Sequence, residues 1–177
     1  MGPTPPTATS RRIGIFHPPL SHKEAETAVT KLFQAAGFTC FNEPRIGGIS
    51  SLPISPDILA FKDDELLILE IKVGGEKDVP AEDANGMESA RRLLATRIAS
   101  SSWRTLLNVA NPTRVDSALV MIGAKPSAGL KSFAEEADIR LLPVDPEMIR
   151  RVMQTDDKNE LRSIFSEAVP SLPARDH

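Results

Sequence analysis

The run Leu66-Leu-Ile-Leu-Glu-Ile-Lys-Val73 constrains this chain more than any other segment. It is apolar at consecutive positions until Glu70, so both of its faces avoid water. A strand of that kind lies in the middle of a sheet with helices on both sides. Side chains two apart in a strand share a face. Glu70 and Lys72 therefore follow Leu66 and Ile68 into covered surroundings. An ionised group buried without a partner costs roughly several kcal/mol. An ammonium beside a carboxylate would relieve that cost, and a divalent cation between two carboxylates would relieve it further.

A second carboxylate is at hand. Asp57-Ile-Leu-Ala-Phe61 reads as the preceding strand, and Lys62-Asp-Asp-Glu65 as the turn of a hairpin. Pairing brings Asp57, directly after Pro56, towards the Glu70 end of its partner. Asp57 and Glu70 could then hold one hard cation, with the backbone carbonyl of Ile71 as a third oxygen. Mg2+ suits such a set, since it keeps several waters and also binds phosphate, and Mn2+ is a possible substitute. Glu26 extends the cluster. Ser21 with Glu24 forms a capping box that starts a helix, which runs to Ala36 and stops at Gly37. Glu26 precedes Val29 by three and Phe33 by seven, so it lies on the apolar stripe facing the sheet.

The rest of the chain completes an α/β pattern. A strand is expected at Phe38–Asn42, a helix at Ala84–Ser100 and a short helix at Trp103–Val109. A buried strand from Ser117, a helix at Ala128–Ala137 and a strand at Ile139–Leu142 follow. Helices at Pro146–Met153 and Asn159–Ala168 come last. This order implies a three-layer α/β/α sandwich around a mixed central sheet. Residues 1–19 and 170–177 are rich in Pro, Thr and Ser or lack a period. They read as flexible arms around one domain at 20–169. No apolar run is long enough to span a bilayer and no signal peptide is recognisable, so a cytoplasmic protein is expected.

Cys40 is the one cysteine, which excludes a disulfide framework and a cysteine zinc site. It reads as a small apolar strand residue. His17, His22 and His177 are scattered and suggest no metal site by themselves. The net charge of −3 argues against a sequence-independent DNA coat but not against a nuclease, whose clustered carboxylates lower the pI. Arg45 in the Gly-rich loop, and Arg91 and Arg97 on the helix after Glu70, could reach phosphates. The plainer reading of each is a solvated cation with a buried stem. Trp103 could stack on a base, or simply fill a core.

Pro56-Asp57 followed by Glu70-Ile71-Lys72 resembles the motif of the PD-(D/E)xK nuclease superfamily. The helix from Ala25-Glu26 to Ala36-Gly37-Phe38 is similar to the first helix of archaeal Holliday-junction resolvases. Ala118–Ile122, Leu130–Ala137 and Ile139–Leu142 resemble the strand–helix–strand that closes Mrr-type domains. Together these likenesses run from Ser21 to Arg150. After the motif the chain has Arg91, Arg92 and Arg97 where many relatives carry a Gln or second Lys. The resemblance implies a restriction-endonuclease-like fold, a Mg2+-dependent DNA endonuclease and catalytic roles for Glu26, Asp57, Glu70 and Lys72. It makes a homodimer a fair expectation, because two DNA strands must be cut. The alternative is a non-catalytic nucleic-acid-binding subunit, or a nuclease subunit silent without a protein partner.

Overall fold

A computed structural model of the 177-residue chain describes residues 2, 19–43, 56–75, 77–84, 87 and 114–169. The capping box forms as its spacing predicts. Ser21 Oγ accepts from the Glu24 amide at 3.1 Å, and the Glu24 carboxylate accepts from the Ser21 amide at 2.8 Å. Hydrogen bonding from Ser21, first from its backbone amide and then from its side chain, holds the Glu24 carboxyl below its usual range. Helix α1 spans His22–Ala35, and the chain leaves it through Gly37 at φ +95°, a conformation that favours glycine.

Five strands follow in spatial order β1 to β5: Thr39–Asn42, Ile58–Lys62, Glu65–Val73, Arg114–Ile122 and Ile139–Val144. The first three are antiparallel, and β3, β4 and β5 run parallel, so the sheet is mixed. The hairpin is confirmed, with Ile58 opposite Leu69 and Lys62 opposite Glu65. The Asp63–Asp64 turn closes it, with Asp63 at φ +53°. Asp57 lies one residue before β2 rather than within it. β3 is central, and Leu66 to Leu69 are all buried.

Helices α2 (Ala128–Ala137), α3 (Pro146–Gln154) and α4 (Lys158–Ala168) complete the described elements. One core joins α1, α3 and α4 to Leu67, Leu69 and Ile71 of β3 and to Ala118, Val120 and Ile122 of β4. The other joins α2, Val79 and Met87 to Leu119 and Met121 of β4. The sheet thus has helices on both faces, as an α/β/α sandwich requires. Register then assigns the charged pair. Glu70 aligns with Leu119 and Lys72 with Met121, which places both on the α2 face. Glu26 belongs to α1, across the sheet.

Two strands are longer than periodicity predicts. β5 continues through Pro143 to Val144; it is an edge strand among the described residues, where a missing N–H is tolerated. β4 begins at Arg114, where its first residues join an ion cluster. Arg114 and Arg140 approach Asp116 at 3.0 and 3.4 Å, and each approaches Glu65 at 3.8 Å. Burial, then neighbouring Asp116, pushes the Glu65 carboxyl up. Burial also pushes Asp116 up, but the Arg114 and Glu65 hydrogen bonds and the Arg140 charge outweigh it and hold that carboxyl low. At the opposite end, β3 and β4 exit side by side. A Cβ on Gly74 would lie 2.2 Å from the Gly123 carbonyl oxygen, so only glycine permits that approach.

Apart from Ala84 and Met87, the expected helix at 84–100 lies outside the described residues, as do the helix at 103–109 and, apart from residues 2 and 19, the two arms. Ala84 closes a short 3-10 turn, Ala81–Ala84, and Met87 is helical and buried. No described helix is long and apolar enough to cross a membrane.

Candidate functional site

The carboxyl end of β3 gathers four of the residues singled out in the sequence. The β2–β3 ladder ends at Ile58–Leu69, and Asp57 extends it with its side chain. Asp57 Oδ2 accepts from the Ile71 amide at 2.8 Å. A strand residue presents N–H and C=O to the same edge, so the Ile71 carbonyl faces the Asp57 side. Pro56 before it is buried, and the Asp57 carbonyl accepts from the Glu43 amide at 2.8 Å, which anchors the backbone.

Glu70 is half-buried beside Asp57. Its Oε1 is buried and has no hydrogen-bond partner. Burial, then the Asp57 charge and hydrogen bond, pushes its carboxyl up to about 8, although Lys72 acts in the opposite sense. Burial and the neighbouring Asp57 charge thus keep Glu70 protonated at neutral pH, which is the electrostatic state a divalent cation relieves. Lys72 Nζ lies 3.8 Å from Asp83 Oδ2 in the 3-10 turn. That contact holds the ammonium over the strand end, where both partners are about one-third exposed, at 36% and 37%.

Glu26 is fully buried, at 0% exposure. Asn42 Nδ2 donates to its Oε1 at 3.1 Å, while Oε2 has no hydrogen-bond partner. Thr30 braces the arrangement by donating to the Glu26 carbonyl at 2.8 Å and accepting from Asn42 at 2.9 Å. Lys23 Nζ stands 3.6 Å from Oε1.

Sequence spacing set His22 aside with the other histidines, but the fold brings it to the site. Its Nε2 lies 3.2 Å from Asp57 Oδ1 and 3.9 Å from Glu26 Oε2. One donor atom from each of His22, Glu26 and Asp57 lies within 4.8 Å of the others. Asp57 therefore stands between two groups: Glu70 on the α2 side, and His22 with Glu26 on the α1 side. The i, i+4 spacing of His22 and Glu26 was visible in the sequence. The Asp57 contact, across 35 residues, was not.

A cation fits this donor set. Among the described residues, two carboxylate oxygens, Glu26 Oε2 and Glu70 Oε1, are buried without hydrogen-bond partners. Both belong to residues that flank Asp57. The candidate phosphate contacts Arg45, Arg91 and Arg97, and the candidate stacking residue Trp103, lie outside the described residues. Cys40 is half-buried, and burial raises its thiol to about 11, consistent with an inert strand residue.

No protein-family profile and no curated protein matches the sequence. Among solved structures, the chain is similar to a protein of unknown function, AF1548, at 13% identity and TM-score 0.45. That match covers 82% of this chain and 96% of the other. An XisH family protein from Nostoc punctiforme PCC 73102 matches at 18% identity and TM-score 0.37, over 71% of this chain and 94% of that one. The MspJI restriction endonuclease, in complex with a 27-mer oligonucleotide, matches at 11% identity and TM-score 0.40. The match covers 85% of this chain but 33% of that one. These are distant likenesses, and the chemistry follows from the site's own geometry.

Proposed function

We propose that the chain is a metal-dependent DNA endonuclease of the PD-(D/E)xK kind. The observation that carries this reading is the Asp57–Glu70 carboxylate pair at the end of a covered strand, with Lys72 two residues on. Asp57, Glu70 and the Ile71 carbonyl would hold Mg2+, with Mn2+ as a substitute. Such a cation, when bound, polarises a phosphodiester and lowers the pKa of water.

The chain's own groups supply the rest. The Ile71 amide and the strand end fix the Asp57 carboxylate in one orientation, so little ordering remains to be done on binding. Lys72 places a positive charge beside the phosphate, where it orients the attacking water or meets the charge that develops on phosphorus-bound oxygen. Asp83 steadies that ammonium. Glu26 supports the metal or the water from the α1 side. A bond would form from water oxygen to phosphorus as the ester bond opposite breaks; the water gives up a proton to solvent and the departing oxygen takes one up from solvent. A homodimer would present two such sites to the two strands of a duplex.

The test is incubation of the purified protein with linear duplex, single-stranded, flap and four-way-junction DNA. Mg2+, Mn2+ and chelator conditions are compared, with Asp57→Ala and Lys72→Ala proteins alongside. The expected result is cation-dependent cutting that disappears in both variants. No cutting of any DNA, together with no cation binding by calorimetry, would overturn the reading and leave a partner-dependent or architectural subunit.

A further inference from the structure

We infer that His22 is a cation ligand, and that with Glu26 and Asp57 it makes a mixed nitrogen–oxygen site that favours Mn2+ over Mg2+. The inference rests on Asp57 being a cation ligand, and it adds a residue and a selectivity to that reading.

The protein has already engaged one oxygen of each carboxylate. Asp57 Oδ2 is taken by the Ile71 amide, and Glu26 Oε1 by Asn42. The oxygens left over, Asp57 Oδ1 and Glu26 Oε2, are the two that approach His22 Nε2, at 3.2 and 3.9 Å. Glu26 Oε2 is an unpartnered oxygen on a side chain with no exposure, aimed into this group. Two ligands at roughly 2.1 Å from one cation stand about 3 Å apart when adjacent and about 4.2 Å apart when opposite. The donor atoms here, all within 4.8 Å of one another, match that span after a small contraction.

The cluster also has the placement such a site needs. His22 is the first residue of α1, held by the Ser21 cap, and Glu26 follows one turn later on the same face. His22 is 51% exposed, so the ring opens the site to solvent while Glu26 closes its floor. Mg2+ is satisfied by oxygen alone, and an imidazole adds little to it. First-row transition ions gain from a nitrogen ligand, Mn2+ least among them but more than Mg2+, and Mn2+ still accepts the carboxylates.

The experiment uses the full chain without a histidine tag. Mn2+ and Mg2+ affinities are measured by calorimetry in the absence of DNA, for the native protein, His22→Gln and Asp57→Asn. The spin echo of bound Mn2+ is examined for nitrogen coupling, and circular dichroism checks that each variant is folded. The native protein is expected to bind Mn2+ more tightly and to show imidazole coupling. His22→Gln should lose that coupling and about tenfold or more in Mn2+ affinity, with Mg2+ affinity changed less than about threefold. Mn2+ bound without nitrogen coupling, or unchanged by His22→Gln, would overturn the inference while the nuclease reading stands on DNA cutting. Absence of any cation binding by the native protein would overturn the inference, and absence of DNA cutting as well would overturn the nuclease reading with it.

Discussion

Glu70 is the residue whose preferred charge the fold opposes. Its carboxyl titrates near 4.5 when unfolded and at about 8 in the cation-free fold. Across that window unfolding releases a proton, so cation-free stability falls as pH rises from about 4.5 to 8 and levels off above. Glu70→Gln should flatten the fall and raise the melting temperature at pH 8 without cation; thermal melts across pH would show it. The same variant should lose the stabilisation that added Mg2+ or Mn2+ confers on the native protein. On the proposed reading Lys72 acts on the reaction rather than on the fold. Lys72→Ala is expected to cut DNA about 100- to 1000-fold more slowly, with cation affinity changed little. Equal losses of both in calorimetry and single-turnover cleavage would place Lys72 in the cation site instead.

At the scale of elements, the site depends on how α1 begins and how β3 ends. Ser21→Ala removes the acceptor that satisfies the Glu24 amide. It should cost about 1 kcal/mol in denaturant unfolding. Because the cap also holds His22 and Glu26 in place, cation affinity should drop with it. The β3 end is set by Gly74, whose added Cβ would strike the Gly123 carbonyl oxygen. Gly74→Ala should therefore destabilise by about 1–3 kcal/mol and displace Lys72, two residues away. The capping box, the Gly37 stop and the hairpin were all legible in the sequence, because each is built from residues close in the chain. The early start of β4 was not, because Arg114 and Asp116 owe their places to Glu65 and Arg140 in neighbouring strands.

The whole molecule separates two charged clusters at opposite ends of its sheet. One is the site; the other joins Glu65, Arg114, Asp116 and Arg140. The second is balanced in sign and internally paired, so its role is to hold β3, β4 and β5 in register. Arg140→Met takes one of the two arginines from Asp116 and should cost about 1–3 kcal/mol. Cation affinity at the other end should be unaffected, since sites this far apart act independently. A change in cation affinity without loss of stability would refute that division.

The order of apolar and polar residues by itself determined the α/β class, the central position of β3 and the candidacy of Asp57, Glu70 and Lys72. Those features follow from the two-residue period of strands and from the cost of burying charge. Only the tertiary structure decided how the acidic residues divide. The parallel register of β3 on β4 puts Glu70 on the α2 face, while Glu26 approaches from α1 across the sheet. It also brought His22 to Asp57, because the start of α1 packs against the chain entering β2. Neither placement has a signature in local spacing, since each is fixed by which faces the two cores bury.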